Sequence, residues 1–191
     1  MPRGCGYHCR AVFYLNTERM KFLEKDLEEI IFTADKNNLR KKGLSIHGVM
    51  KRQLRIGNYG IADLVSFEKP IKPYNQPFDD LSRGLITVYE LKQDKIGISA
   101  FLQALGYVKG IRRYLENRGF CLYDYDFRIV LIGSSIDDKS TFPYLIDFMC
   151  TDYGDHGRDS LLSLECYTYS YDIDGISFKN EYGYKLINEG F

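Results

Sequence analysis

Apolar residues recur along the chain at two spacings, which predict alternating helices and strands. Between residues 17 and 34, and again between 98 and 117, they return every three or four positions, as in an amphipathic helix. Asn16 or Thr17 is the expected cap of the first helix, and the polar residues 35–38 are expected to end it. Strands are predicted at 44–56, 61–67, 85–92, 127–132 and 161–171, whereas 142–149 fits either a helix or a strand.

The order of these elements predicts an α/β fold. A hairpin followed by strand, helix and strand implies a mixed β-sheet flanked by helices. With 191 residues, of which 45% are hydrophobic, the chain is long enough for a single domain with its own core. We expect that core at about residues 17–135, with strands from 136–191 completing the sheet.

Composition limits the partners and the location of the protein. The formal net charge is zero, so a nucleic acid would have to meet a local basic patch, and the candidates are 40–42, 51–55 and 109–113. Five scattered cysteines favour a reducing compartment over a disulfide framework. No apolar run approaches the length of a membrane span and no leader is visible, so we expect a cytoplasmic protein without a membrane partner.

The strand at 85–92 combines an apolar run with two charged side chains. Alternation places Ile86, Val88, Glu90 and Lys92 on one face, so a carboxylate and an ammonium stand side by side at its end. Asp63 lies in the preceding apolar strand, where burial is unfavourable unless the carboxylate is paired or binds a cation. Ordinary exposed strand ends would explain both positions equally well.

The two predicted helices add polar residues to this picture. Among the acids of the first helix, Glu24 is the one best placed to face the interior. On the second helix, Gln103 and Tyr107 are four residues apart and share a face. Gly106 and Gly110 weaken that helix, which suggests that close packing requires them.

Taken together, these parts resemble the PD-(D/E)XK nuclease superfamily, with its restriction-endonuclease-like fold. The branch is the RecB-like and NucS/EndoMS-like one, which carries a Gln-x-x-x-Tyr motif. Residues 24–31 resemble its first motif, 52–64 its second and 89–92 its third, and Gln103 and Tyr107 match the Gln-x-x-x-Tyr pair. The resemblance covers about residues 20–135.

The resemblance implies a nuclease that uses Mg²⁺ or Mn²⁺, with DNA a more natural substrate than RNA. Carried over by position, Asp63, Glu90 and the backbone carbonyl of Leu91 would hold the metal. Lys92 would be the catalytic base or an electrostatic stabiliser. Glu24 would be an outer acid, and Gln103 with Tyr107 would orient the site or the DNA. A non-catalytic binding module on the same fold is the main alternative, and recognition through a homodimer is a further expectation.

Three other segments invite weaker interpretations. Cys5, His8 and Cys9 lack the second pair of ligands that a structural zinc site needs. The proline-rich stretch between 67 and 85 is too long for a tight hairpin and reads as a flap or a passive loop. Three alternating tyrosines at 167, 169 and 171 favour a buried face over a base-stacking surface, and residues 172–175 favour a turn over a calcium loop.

Overall fold

A computed structural model describes residues 23–69, 83–150 and 162–182. It contains four α-helices: α1 (Glu24–Thr33), α2 (Lys36–Lys41), α3 (Ile98–Asn117) and α4 (Phe142–Cys150). The strands are β1 (Val49–Arg55), β2 (Ile61–Glu68), β3 (Gly84–Leu91), β4 (Lys95–Ile96), β5 (Tyr125–Gly133), β6 (Ser135–Ile136), β7 (Leu162–Asp172) and β8 (Gly175–Tyr182).

Six of these strands form one mixed sheet in the order β1-β2-β3-β5-β7-β8. The three central strands β3, β5 and β7 are parallel, and the antiparallel strands β1, β2 and β8 lie on either side of them. Helix α3 connects β3 to β5, which is how neighbouring parallel strands are joined. The predicted mixed α/β sheet flanked by helices is therefore confirmed.

Helices cover both faces of the sheet, and each face has its own apolar cluster. On one face, α3 and α4 pack against side chains that include Val88, Ile129 and Leu131. On the other face, α1 and α2 pack against Tyr89, Leu91, Val130 and Ile132. Strand β3 alternates between the two clusters, so the charged side chains that follow Val88 on its face project toward α3.

Three elements in the first part of the chain differ from their predicted bounds. The helix predicted over 17–34 is not continuous, because Leu23 is extended and α1 begins at Glu24. Helix α1 ends at Thr33, as predicted, but residues 36–38 are helical, because the Asp35 carboxylate accepts hydrogen bonds from the N–H groups of Asn37 and Asn38 and caps α2. Of the strand predicted at 44–56, only the residues of β1, Val49–Arg55, are in the sheet.

The second half of the chain follows the pattern more closely. Helix α3 spans the predicted residues 98–117, and the ambiguous stretch at 142–149 is helical. Of the three alternating tyrosines, Tyr167 and Tyr169 are buried, as predicted for core residues, but Tyr171 is 44% exposed. The 172–175 segment is the turn between β7 and β8, with the Asp174 N–H bonded to the Asp172 carboxylate.

Several interpretations fall on residues outside the described ranges. These are the Cys5, His8 and Cys9 group, the cap at Asn16 or Thr17, and most of the proline-rich stretch. Within the described residues, no helix is long and apolar enough to cross a membrane.

The two glycines of α3 have different surroundings. A Cβ added at Gly110 would lie 2.7 Å from Tyr59 Cδ2 and also collide with Ile56, so the turn at Gly57–Tyr59 packs directly on the helix backbone. A Cβ added at Gly106 would meet no described atom within 4 Å. The expectation of close packing is thus confirmed for Gly110 and wrong for Gly106.

Substitution of each glycine by alanine should therefore change stability in opposite directions. Gly106→Ala is expected to stabilise the protein by about 0.5–1 kcal/mol, because alanine favours the helix and nothing obstructs its methyl group. Gly110→Ala is expected to destabilise it by about 1–3 kcal/mol through overpacking. Urea denaturation of the two variants checks this, and equal effects at both positions would contradict it.

Candidate functional site

The candidate site lies where β2 and β3 stop pairing. The pairing of these antiparallel strands runs from Glu68–Leu85 to Leu64–Tyr89 and does not extend to Asp63. Beyond that point, the Asp63 side chain makes the contact between the strands, because Oδ2 accepts a hydrogen bond of 2.9 Å from the Leu91 N–H. This bond fixes one oxygen of Asp63 beside the end of β3.

Glu90 is the most buried acid of the site. Its side chain is 1% exposed, and Oε1 accepts a hydrogen bond of 2.6 Å from the Lys92 ammonium. The other oxygen, Oε2, is buried and has no hydrogen-bond partner among the described residues. A buried carboxylate oxygen without a partner is unfavourable, so a donor or a cation at this position would stabilise it.

Helix α3 borders the site on one face of the sheet, where Gln103 and Tyr107 contact it. The Lys92 ammonium also lies 3.4 Å from Gln103 Oε1, and the Gln103 amide donates a hydrogen bond of 2.8 Å to the Tyr107 hydroxyl. Tyr107 is buried, and Gly60 at the start of β2 lies against its ring. A chain of hydrogen bonds therefore runs from Glu90 through Lys92 and Gln103 to Tyr107.

Glu24 reaches the site from the opposite face of the sheet. Its Oε1 lies 4.0 Å from the Lys92 ammonium and accepts a hydrogen bond of 3.4 Å from the Gln93 N–H. The Gln93 carbonyl in turn accepts a hydrogen bond of 2.8 Å from the Tyr169 hydroxyl. The structure thus brings together all six side chains predicted from the sequence, with Glu24 half-exposed at the edge.

Burial controls the protonation of the two central carboxyls. It raises the pKa of Glu90 to about 7, against the opposing hydrogen bond and charge of Lys92. It also raises the pKa of Asp63, although the Leu91 N–H and the Lys92 charge act in the opposite direction. Burial alone lowers the pKa of Lys92, but the hydrogen bond and charges of the surrounding carboxylates outweigh it and leave that pKa raised.

Sequence reasoning missed a second acid that faces inward, Glu28. It is 6% exposed, accepts a hydrogen bond from the Gln53 amide and lies 3.8 Å from the Arg52 guanidinium. Helical spacing placed this residue off the apolar stripe, and it is buried because β1 covers that flank of α1. Only the position of β1 in the sheet reveals this.

Gln53 itself has an unusual backbone. Its φ is 49°, the one positive value among the described residues other than glycine. The pairing of β1 with β2 runs through Arg52–Leu64 and Leu54–Ala62 but skips Gln53 and Asp63. Asp63 therefore lies at a break in the ladder on both sides, and no sequence signal predicts a left-handed conformation at a glutamine.

The donor atoms suit a hard divalent cation. Asp63, Glu90 and the Leu91 carbonyl offer oxygens, which are the ligands that Mg²⁺ takes in proteins. The unpartnered Glu90 Oε2 is the structural observation that fits a cation. No group of three or more His, Cys, Asp or Glu side chains in the described ranges is arranged to hold a metal, so the candidate set consists of two carboxylates and one backbone carbonyl.

Comparison of the chain with protein-family models, with curated proteins and with solved structures found no match.

Proposed function

We propose that the protein is a metal-dependent nuclease that hydrolyses phosphodiester bonds, with DNA as the expected substrate. The observation that carries the proposal is the buried, unpartnered Oε2 of Glu90, placed beside Lys92 at the break between β2 and β3. An apolar sheet gains nothing from such a group, whereas a phosphodiesterase needs carboxylate oxygens and a cation together.

In this proposal each side chain has a separate task. Asp63 and Glu90, with the Leu91 carbonyl, would hold Mg²⁺ or Mn²⁺, which when bound would polarise the phosphate and lower the pKa of an attacking water. The Leu91 N–H orients the Asp63 carboxylate. Gln103, itself bonded to Tyr107, holds the Lys92 ammonium toward the carboxylates.

The raised pKa of Lys92 favours the second of its two expected roles, electrostatic stabilisation. Because the surrounding carboxylates favour the ammonium, Lys92 is protonated at neutral pH and is a poor proton acceptor. Its contribution is then to stabilise negative charge that develops on the phosphate.

The decisive test is a cleavage panel of single-stranded, duplex, branched and mismatched DNA, together with RNA, in Mg²⁺ or Mn²⁺. Asp63→Asn should lower the cleavage rate by at least about 10³-fold, because loss of a metal ligand removes several kcal/mol of stabilisation. The asparagine oxygen can still accept the Leu91 N–H, so the variant should remain folded. The matched control is Asp138→Asn, which removes an exposed carboxylate outside the site and should cleave normally.

The panel also separates the alternatives. Cleavage that persists in Asp63→Asn would refute the assignment of the site. Absence of cleavage of every substrate by the unmodified protein would instead favour the non-catalytic binding module.

A further inference from the structure

We propose that a single-stranded flank of the substrate crosses the exposed side of α3 and places one unstacked base in a cavity on the far side of the helix. The proposal rests on the nuclease function proposed above, because it describes how the nucleic acid continues from the catalytic end. Three observations support it: a cavity beside α3, the three positively charged side chains Lys109, Arg112 and Arg113, and the open surface at Gly106.

The cavity lies between α3 and the strands β5 and β7 and has a volume of about 430 Å³. Its apolar walls are Leu105, Val108, Phe127 and Leu162. The Arg112 guanidinium lies 6.0 Å from the centre of the Phe127 ring. Phe127 and Val108 are almost fully buried behind this wall, so the surfaces that a planar base would pack against are Leu105, Leu162 and the Arg112 guanidinium. A volume of this size falls in the range of about 300–1,000 Å³ that is typical of ligand sites.

The rim of the cavity is positively charged. Lys109, Arg112 and Arg113 line it, and no ion pair formed within the described part of the chain involves any of the three. Arg113 instead donates a hydrogen bond to the Tyr59 hydroxyl, and Glu116 is the one acid of the lining. In a chain without net charge, this local excess of cations is suited to phosphates.

The cavity and the candidate site lie on opposite flanks of α3, and the solvent-facing side of the helix lies between them. At about 100° per residue, Leu105 and Arg112 lie roughly 160–180° around α3 from Gln103, on the opposite flank. Gly106, Lys109 and Arg113 lie between them on the solvent side, roughly 60–120° from Gln103. The route around a helix about 10–12 Å across is short enough for a few nucleotides.

The proposed route gives a reason for a glycine at position 106 of the helix. The fold does not require a glycine there, because no described atom would touch its Cβ. Glycine in a helix is unfavourable, and one common reason for it is the close approach of a ligand. On the solvent-facing side of α3, the absence of a side chain at Gly106 leaves space for a sugar–phosphate backbone between Gln103 and the positively charged Lys109 and Arg113.

The path requires a single strand, because the cavity can receive only a base that has left its stack. Binding is measured by fluorescence anisotropy with the Asp63→Asn protein in EDTA, using a labelled oligothymidylate of about eight nucleotides. Lys109→Gln and Arg113→Gln should each weaken binding and lower the salt slope by about 0.7. Lys41→Gln, which removes an exposed lysine of another basic cluster, is the matched control and should bind like the parent.

Two further probes test the route and the cavity separately. Gly106→Leu should weaken binding although its helix is at least as stable, so that thermal unfolding excludes a folding defect. An abasic residue moved along the oligonucleotide should reduce affinity about tenfold at one position, where the base enters the cavity. Unchanged affinity in Lys109→Gln, Arg113→Gln and Gly106→Leu, or an abasic scan without a sensitive position, would overturn the proposal.

These measurements do not depend on catalysis. If the unmodified protein cleaves nothing but the α3 variants lose affinity, the path is supported and the nuclease function fails. If cleavage requires Asp63 but the α3 variants bind normally, the nuclease function is supported and the path fails.

Discussion

Replacement of Glu90 by glutamine should stabilise the protein at pH 8 by on the order of 3 kcal/mol while it abolishes cleavage. Burial raises the pKa of Glu90 from 4.5 to about 7 in the folded protein. The folded state therefore keeps a proton that the unfolded state loses between these values. Stability from this group is fully present below pH 4.5 and is lost as the pH rises through about 7.

Urea denaturation in EDTA from pH 4 to pH 8 measures this effect. The parent protein should lose stability across the interval, and Glu90→Gln should lose much less, because the amide has no proton to release. Mg²⁺ should restore stability to the parent at pH 8 but not to the variant. Parallel pH curves for the two proteins would show that Glu90 does not titrate as described.

Replacement of Lys92 by methionine should lower the cleavage rate by about 10²–10³-fold without preventing metal binding. The substitution removes a positive charge from the site but none of the three oxygens expected to hold the cation. It also leaves the buried Glu90 carboxylate without its counter-ion, so we expect a loss of stability on the order of 3 kcal/mol above pH 7. Below that pH the loss should be smaller, because Glu90 is then neutral.

Single-turnover cleavage and calorimetric titration with Mn²⁺ separate the two effects of Lys92→Met. Lys95→Met is the matched control, since Lys95 is an exposed lysine close by in the chain. The double variant Glu90→Gln with Lys92→Met should recover most of the lost stability, because no charge remains buried. Loss of metal binding in Lys92→Met would contradict the role given to this lysine.

The pattern of residues predicted much of the sheet and of the site. Strands β2 and β3 and helix α3 appear at the expected positions because each carries a strong apolar period. Alternation along β3 was sufficient to place Glu90 and Lys92 on one face. The local signal failed at Leu23, which the apolar period placed inside the first helix, because its backbone is extended and its side chain is exposed.

By itself, the sequence determined the order of α1, β1, β2, β3, α3, β5 and β7 and which charged residues share a face, because both depend on spacings of two to four residues. The tertiary structure alone decided that the β2–β3 pairing ends before Asp63 and that Glu90 Oε2 is buried without a partner. It also decided that Glu28 is covered by β1 and that Gly106, unlike Gly110, lies open. Those properties depend on which distant segments are neighbours, and a local period carries no information about that.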